Sequence, residues 1–135
     1  MRQLQVLGVV AFGGVLGAQA RYGIELALPS GAGMPWATLI VNAAGCLLIG
    51  ALMTVLLELT APHRLARPFL GVGVLGGFTT FSGYAVGVQA LLVDGRPAVA
   101  AAFWVVMPVV ALASVWAGAR LTRMVVTRRG EGGQP

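Results

Sequence analysis

The stretch GGFTTFSGY, residues 76–84, groups residue types that could bind an ion within an otherwise apolar run. Two adjacent glycines weaken a helix, and the hydroxyls of Thr79, Thr80 and Ser82 can hydrogen-bond the backbone in competition with helical bonds. A break frees carbonyl oxygens and amide N–H groups, which coordinate ions in discontinuous membrane helices. The stretch therefore predicts either an ion site or a kink satisfied by hydroxyls, and its many polar residues favour the ion site.

Two aromatic residues of this stretch, Phe81 and Tyr84, are three apart and share one face of any helix that resumes after the break. The edge of an aromatic ring is electropositive and can solvate a small anion weakly. Weak binding suits a channel, because the ion must leave as easily as it enters. Ordinary packing is the usual explanation for an isolated aromatic pair, and it stays open here.

Uncharged polar residues also occur in the second apolar segment, where Thr38 and Asn42 are four apart on one helix face. An asparagine amide without partners in hydrocarbon costs several kcal/mol, so Asn42 must face protein or water. Its amide then either joins helices by hydrogen bonds or lines a pore, and the residues alone leave both open. If it lines an anion path, Asn42→Asp should cut the flux.

Ionisable side chains stand at the ends of the apolar segments, at Arg21, Glu58 and Asp94. A proton-coupled transporter needs a titrating group at membrane depth, and the sequence places none there. All nine basic residues are arginine, which excludes the lysine-containing phosphate loop of ATP-driven transporters. We therefore expect passive conduction or no transport, and no enzyme activity. Cys46 is expected to pack between helices and His63 to lie solvated in a loop.

Composition places these residues in a membrane protein. The 135-residue chain is 58% hydrophobic and 10% charged, with a net charge of +5 and a mean hydropathy of +0.88. Four segments are long enough to cross a bilayer as helices. We predict an all-α, multi-pass protein of the cell membrane that does not bind nucleic acid. Its transmembrane domain covers residues 1–122, with helices near 4–22, 36–58, 69–93 and 98–120, and a polar, disordered tail covers 123–135.

The first segment has the outline of a signal peptide, with a positive start, an apolar core and a small-residue ending. Glycines at 13, 14 and 17 interrupt that core, and three further segments follow. We therefore expect the segment to be retained as the first helix. The spacings Gly13-x-x-x-Gly17 and Gly73-x-x-x-Gly77 predict that helices approach closely at these points.

Three stretches, GGVLGAQARY (13–22), PWATLIVNAAGCLLIG (35–50) and GVLGGFTTFSGY (73–84), resemble the signature stretches of the CrcB/Fluc fluoride channels. The resemblance extends over all four segments in the same order and spacing. It implies an antiparallel, dual-topology dimer of four-helix subunits with two pores along the subunit interface. Such a channel exports cytoplasmic fluoride passively and reduces its toxicity.

The resemblance also implies roles for single residues. The third helix is broken at its middle, and a structural sodium ion at the dimer centre is held there by the carbonyls of Gly76 and Thr79. Phe81 and Tyr84 take the places of the two pore phenylalanines, and Phe81, which keeps the family residue, is expected to matter more. Arg21 takes the place of a vestibule arginine, and Ser114 lies on a hydroxyl track of the fourth helix. The implied pore residues are Arg21, Thr38, Asn42, Phe81, Ser82, Tyr84 and Ser114.

Three positions depart from the family's pattern and put the activity of one pore in doubt. Tyr84 replaces a phenylalanine, and its hydroxyl is expected to bind fluoride harder or to obstruct the pore, so Tyr84→Phe should preserve or raise flux. Gly83 replaces a serine or threonine, and Gly87 stands near a position that is often acidic.

Two other functions remain open: a small four-helix exporter of cationic drugs, and a non-conducting membrane assembly protein. Charge distribution bears on assembly, because an excess of arginine in short loops directs a segment to the cytoplasm. With four helices, the side that carries both termini has seven arginines and the other side has at most two. Without the four arginines after the last helix, the ratio is three to two. The full count predicts cytoplasmic termini and a distinct, oppositely oriented homologue as partner, in place of a second copy.

Overall fold

The computed structural model describes residues 2–28, 33–59 and 63–131. Its regular elements over these ranges are all helices. The α-helices are α1 (Arg2–Ala27), α2 (Trp36–Thr54), α3 (Gly76–Phe78), α4 (Phe81–Val93) and α5 (Pro97–Glu131). Helix α2 continues into a π-helical segment, Val55–Leu59, and a second π-helical segment, Arg67–Leu75, leads into α3.

Four of the helical stretches in the described part of the chain are long and apolar enough to cross a membrane. This confirms the predicted number and order of spans. Their mean hydropathies lie between 1.4 and 2.3, and each covers at least 22 residues, enough for about 30 Å of hydrocarbon. The spans are Gln3–Ala27, Trp36–Leu57, Arg67–Val93 and Pro97–Thr127.

Two helices run further than the sequence predicts. The first continues past residue 22 to Ala27, and an ion pair between Arg21 and Glu25, one turn apart at 3.4 Å, supports that added turn. The last continues past residue 120 through Glu131. Residues 123–131 are thus helical where disorder was predicted, because no glycine or proline interrupts residues 119–129. Residues 132–135 lie outside the described part.

Helix α1 packs backbone to backbone on the first half of the third span. A Cβ atom added at Gly13 would lie 2.7 Å from the carbonyl oxygen of Phe69 and 3.1 Å from the Cα of Gly73. One added at Gly17 would lie 2.8 Å from the amide nitrogen of Phe78. Only glycine permits this approach, so the close contact predicted from the two glycine spacings is confirmed.

Helices α2 and α5 form a second closely packed pair. A side chain at Gly50 would collide with the carbonyl oxygen of Val115, and one at Gly118 would collide with that of Leu47. The described part of the chain is therefore built from two helix pairs, α1 with the third span and α2 with α5.

The third span changes its packing partner where α3 ends. Thr79 (φ −77°, ψ 156°) and Thr80 (φ −144°, ψ 119°) are extended, so the helix stops at Phe78 and begins again at Phe81. Before this point the span contacts α1, and after it α4 contacts α5. The main buried cluster lies on the second side of the change and comprises Leu39, Tyr84, Leu91, Ala100, Phe103 and Met107.

Candidate functional site

The extended segment between α3 and α4 is held by the side chain of Asn42. The backbone N–H of Thr80 donates to Asn42 Oδ1 at 2.8 Å, and Asn42 Nδ2 donates to the carbonyl oxygen of Thr80 at 2.9 Å. Because Thr80 is the N-cap of α4, its carbonyl still accepts the first bond of that helix. The Asn42 amide therefore replaces the lost helical acceptor of the Thr80 N–H and adds a donor to the Thr80 carbonyl. Asn42 is only 7% exposed, so its own amide is satisfied within the subunit, as its membrane depth requires.

The hydroxyl groups of the segment cap the two helix ends. Thr79 Oγ1 donates to the carbonyl oxygen of Leu75 at 2.9 Å, a second donor beside the Thr79 N–H, which bonds the same carbonyl at 2.9 Å. Thr80 Oγ1 accepts from the N–H of Gly83 at 2.9 Å and is the N-cap of α4. Ser82 Oγ lies 3.2 Å from the same hydroxyl. A side chain at Gly83 would come within 2.9 Å of the Thr80 methyl carbon, so glycine fits this tight turn.

Two carbonyl groups at the break lose their usual helical donors. In an uninterrupted α-helix the carbonyl of Gly76 would accept from the N–H of Thr80, and that of Thr79 from the N–H of Gly83. Both N–H groups donate to side chains instead, to Asn42 and to the Thr80 hydroxyl. Among the described residues no group of three or more His, Cys, Asp or Glu could hold a metal. A cation at the break would therefore meet backbone and hydroxyl oxygens.

An open groove of about 310 Å³ lies beside the break, between α2, α4 and α5. It brings together Asn42, Thr79, Phe81 and Tyr84, which the sequence singled out. The groove is walled mainly by apolar side chains, and none of its described lining residues is charged. Its lining comprises Asn42, Cys46, Thr79, Thr80, Phe81, Tyr84, Met107, Pro108 and Ala111.

The two aromatic residues of the groove differ sharply in exposure. Phe81 is 80% exposed and projects from the subunit, whereas Tyr84 is 9% exposed. Their rings meet edge to face with centroids 5.7 Å apart, and Tyr84 meets Phe103 in the same way at 5.4 Å on its other side. Such contacts orient the ring edges. The two residues therefore differ in exposure, although their spacing predicts one shared helix face.

The Tyr84 hydroxyl donates to the carbonyl oxygen of Trp104 at 2.7 Å. This short bond directs the hydroxyl to the backbone of α5. The sequence predicts that this hydroxyl binds fluoride or obstructs the pore. In the structure the hydroxyl donates to the backbone of α5 instead. The groove meets the Tyr84 ring, and the hydroxyl is bonded to protein.

Other implied pore residues lie away from the groove's described lining. Thr38 lines a separate cavity of about 380 Å³ together with Glu25, Gly87 and Asp94. Arg21 is not among the described lining residues of this cavity, but it is ion-paired at 3.4 Å with Glu25, which is. The packing around Gly87 is close, because a Cβ atom there would lie 3.1 Å from the Phe103 ring. Ser82 is exposed at the start of α4, and Ser114 is half-buried on α5.

The sequence did not single out three residues of the groove's wall on α5, Met107, Pro108 and Ala111, or identify Thr80 as the partner of Asn42. Pro108 could have been noticed, because a proline within an apolar helix removes a backbone donor. The pairing of Thr80 with Asn42 has no sequence signal, because the two residues are 38 positions apart. Met107 is 5% exposed.

Comparisons with known proteins identify the family of this chain. The family model described as CrcB-like protein, Camphor Resistance (CrcB), matches residues 8–119, which include the described lining of the groove, the two middle spans and most of the first and last spans. The chain belongs to the CrcB family. This CrcB-family chain is a multi-pass membrane protein, with four spans in its described part.

Three relatives of similar length are named fluoride-specific ion channels. The chain is 49% identical over 128 residues to fluoride-specific ion channel FluC 1 of Streptomyces coelicolor, which covers 94% of this chain and 83% of that protein. It is 44% identical over 119 residues to fluoride-specific ion channel FluC 2 of Nocardia farcinica, covering 87% and 85%. It is 44% identical over 115 residues to fluoride-specific ion channel FluC of Paracoccus denitrificans, covering 84% and 91%.

The bond exchange between Asn42 and Thr80 predicts a large effect of Asn42→Asp on stability. A carboxylate can still accept from the Thr80 N–H, but it would turn an unprotonated oxygen toward the Thr80 carbonyl. We expect the free energy of unfolding to fall by about 3 kcal/mol, measured by thermal or denaturant unfolding in detergent. The control is Cys46→Ala, one turn along the same face, which should cost about 1 kcal/mol. Equal unfolding midpoints for Asn42→Asp and the unchanged protein would contradict the assignment.

Proposed function

We propose that this chain is a subunit of a fluoride channel that lets cytoplasmic fluoride leave passively and so limits its toxicity. The observation that carries the proposal is the extent of the similarity. Proteins named fluoride-specific ion channels match more than four-fifths of this chain and more than four-fifths of their own length in three cases. The residues that form the groove all lie within the matched family region, 8–119.

The chemistry of the groove supports passage of a small anion. It presents aromatic rings at Phe81 and Tyr84 and an amide at Asn42, with no titrating carboxylate among its described lining residues. Ring edges and amide hydrogens stabilise an anion weakly, which allows release. Asn42 Nδ2 uses one hydrogen on Thr80, and we propose that its second hydrogen donates to fluoride. The cavity lined by Thr38 and by Glu25, the ion-pair partner of Arg21, is proposed as the vestibule. Ser82 and Ser114 are proposed to contribute hydroxyls along the path.

Fluoride efflux from proteoliposomes, followed with a fluoride electrode, tests this function. We expect efflux of fluoride but not chloride, and a loss of most of it in Phe81→Leu, which keeps bulk while removing the electropositive ring edge. The matched control is Phe12→Leu, the same change at a residue that is 61% exposed on α1 and outside the groove's described lining. That variant should conduct like the unchanged protein.

The two other functions give different outcomes in the same vesicles. Uptake of a cationic drug without fluoride efflux would favour the exporter, and neither activity would favour the assembly protein. Normal conduction by Phe81→Leu combined with loss in Tyr84→Leu would reverse the proposed ranking of the two aromatic residues.

We propose further that a structural sodium ion binds at the break through the carbonyls of Gly76 and Thr79. The support is that the helical donors of both carbonyls are bonded elsewhere. Neutral oxygen ligands suit a monovalent ion, because a divalent ion would lack compensating carboxylates there. The ion would neutralise the partial negative charge that converges where the first half of the span ends.

Sodium binding predicts a cation-dependent unfolding midpoint. Ligand that binds only the folded protein stabilises it by about 2.7 kcal/mol at a hundred times its Kd. Unfolding is to be compared in sodium chloride and in N-methylglucamine chloride at equal ionic strength, with magnesium added to the second as a control. We expect the midpoint to rise with sodium and not with magnesium. The same midpoint in all three solutions would remove the sodium proposal.

The functional unit is proposed to be an antiparallel dimer, formed with a second copy or with an oppositely oriented homologue. Phe81, at 80% exposure, is a groove residue with most of its ring outside the subunit, where a partner could cover it. Among the seven arginines on the terminal side, Arg128 and Arg129 follow directly on the fourth span, which ends at Thr127. They therefore lie within the distance from a span end over which arginine influences orientation. This charge imbalance favours the homologue.

A reporter fused after Pro135 tests the orientation of the chain expressed alone. The arginine excess predicts one population with a cytoplasmic C-terminus, and a heterodimer predicts no fluoride efflux from that population. The control is a variant in which arginines 120, 123, 128 and 129 become glutamine, which should produce mixed orientations. Mixed orientations of the unchanged chain together with robust efflux would instead establish the homodimer.

A further inference from the structure

Pro108 leaves one carbonyl of α5 without its helical donor. In an α-helix the N–H of residue 108 would donate to the carbonyl oxygen of residue 104, but proline has no N–H. Pro108 lies inside α5, within the fourth span. The carbonyl of Trp104 therefore needs a donor from outside its own helix, because an unsatisfied backbone group in the membrane is costly.

The hydroxyl of Tyr84 supplies that donor from α4. It lies 2.7 Å from the Trp104 carbonyl oxygen, a distance typical of a well-formed O–H···O bond. The Tyr84 ring is 9% exposed and is held edge to face between Phe81 and Phe103. Tyr84 thus supplies the donor that Pro108 lacks, at the carbonyl that needs it. A phenylalanine at this position would leave the Trp104 carbonyl without this donor.

The bond connects two walls of the groove. Tyr84 lines it from α4 and Pro108 lines it from α5. The third span has just exchanged α1 for α5 as its packing partner when it reaches Tyr84. A hydrogen bond across this new contact fixes the distance between the two walls and the orientation of the Phe81 ring that packs on Tyr84.

We infer that Tyr84 is a positioning residue, whose hydroxyl replaces the backbone donor removed by Pro108 and so sets the geometry of the groove. The consequence for transport rests on the proposed fluoride channel, but the pairing of the two residues does not. Toward an anion Tyr84 offers only its ring, because its hydroxyl hydrogen is engaged with Trp104. Tyr84→Phe should accordingly impair the protein, contrary to the expectation from sequence that it would preserve or raise flux.

The test is a cycle of four proteins: unchanged, Tyr84→Phe, Pro108→Ala and the double variant. Alanine at 108 restores the N–H that can donate to Trp104. We expect Tyr84→Phe to lower the midpoint of thermal unfolding by about 5 °C when proline is present. With alanine at 108 the same change should shift it by about 1 °C or less. Equal shifts in the two backgrounds would overturn the inference.

A spectroscopic measurement reports the Trp104 carbonyl directly and needs only Tyr84→Phe to fold. Tryptophan labelled with ¹³C at its carbonyl marks positions 36, 104 and 116, so two of the three carbonyls serve as internal references. Loss of the hydroxyl donor should move one labelled infrared band to higher wavenumber. In the Pro108→Ala background that band should stay in place. An unchanged spectrum on Tyr84→Phe in the proline background would overturn the inference.

Fluoride efflux from the same four proteins separates this inference from the proposed function. We expect reduced efflux both in Tyr84→Phe and in the double variant, because neither protein has the bond between α4 and α5 that fixes the groove. Thermal and spectroscopic coupling without fluoride efflux from the unchanged protein would support the pairing and reject the channel. Efflux from the unchanged protein without any coupling would support the channel and reject the pairing.

Discussion

A backbone that leaves the helix within the membrane must find a partner for each of its polar groups, and this requirement organises the subunit. The chain meets it with a few side chains. Asn42 bonds both backbone polar groups of Thr80, and the Thr80 hydroxyl accepts from the N–H of Gly83 in the first turn of α4. Because these partners lie on α2 and within the segment itself, the break has a fixed geometry. The groove exists beside it for the same reason.

The two halves of the third span solve different packing problems. The first half lies against α1 through glycines, with no side chain between the backbones. The second half carries Tyr84 and Leu91 into a side-chain core with Phe103. A continuous straight helix would keep one face toward one neighbour, whereas the extended pair of threonines changes the direction of the chain so that α4 packs on α5. Pro108 introduces a related defect in α5, and a hydroxyl from the second half satisfies it.

The number of spans, the glycine contacts and the need to satisfy Asn42 could be predicted from sequence, since each follows from a local rule. Hydropathy identifies spans, four-residue spacing identifies a helix face, and hydrocarbon forbids an unpaired amide. The identity of Asn42's partner could not be predicted in this way, because it depends on how α2 and the third span lie together. The direction of the Tyr84 hydroxyl depends likewise on the placement of α5. The polar composition after residue 122 predicts a disordered tail, but α5 continues through Glu131 because no glycine or proline interrupts residues 119–129.

The exchange of partners at the break has a consequence for biogenesis. Synthesis delivers the third span before α5, so when α4 enters the bilayer the helix that buries its inner face has not yet been made. During that interval Tyr84 and Leu91 face lipid or the insertion machinery, while the α1 contact of the first half is already available. The last helix therefore closes the subunit. In a nascent chain stalled before residue 104, α1 and Asn42 could already hold the first half of the third span and the break, while α4 would still lack the helix that buries Tyr84 and Leu91.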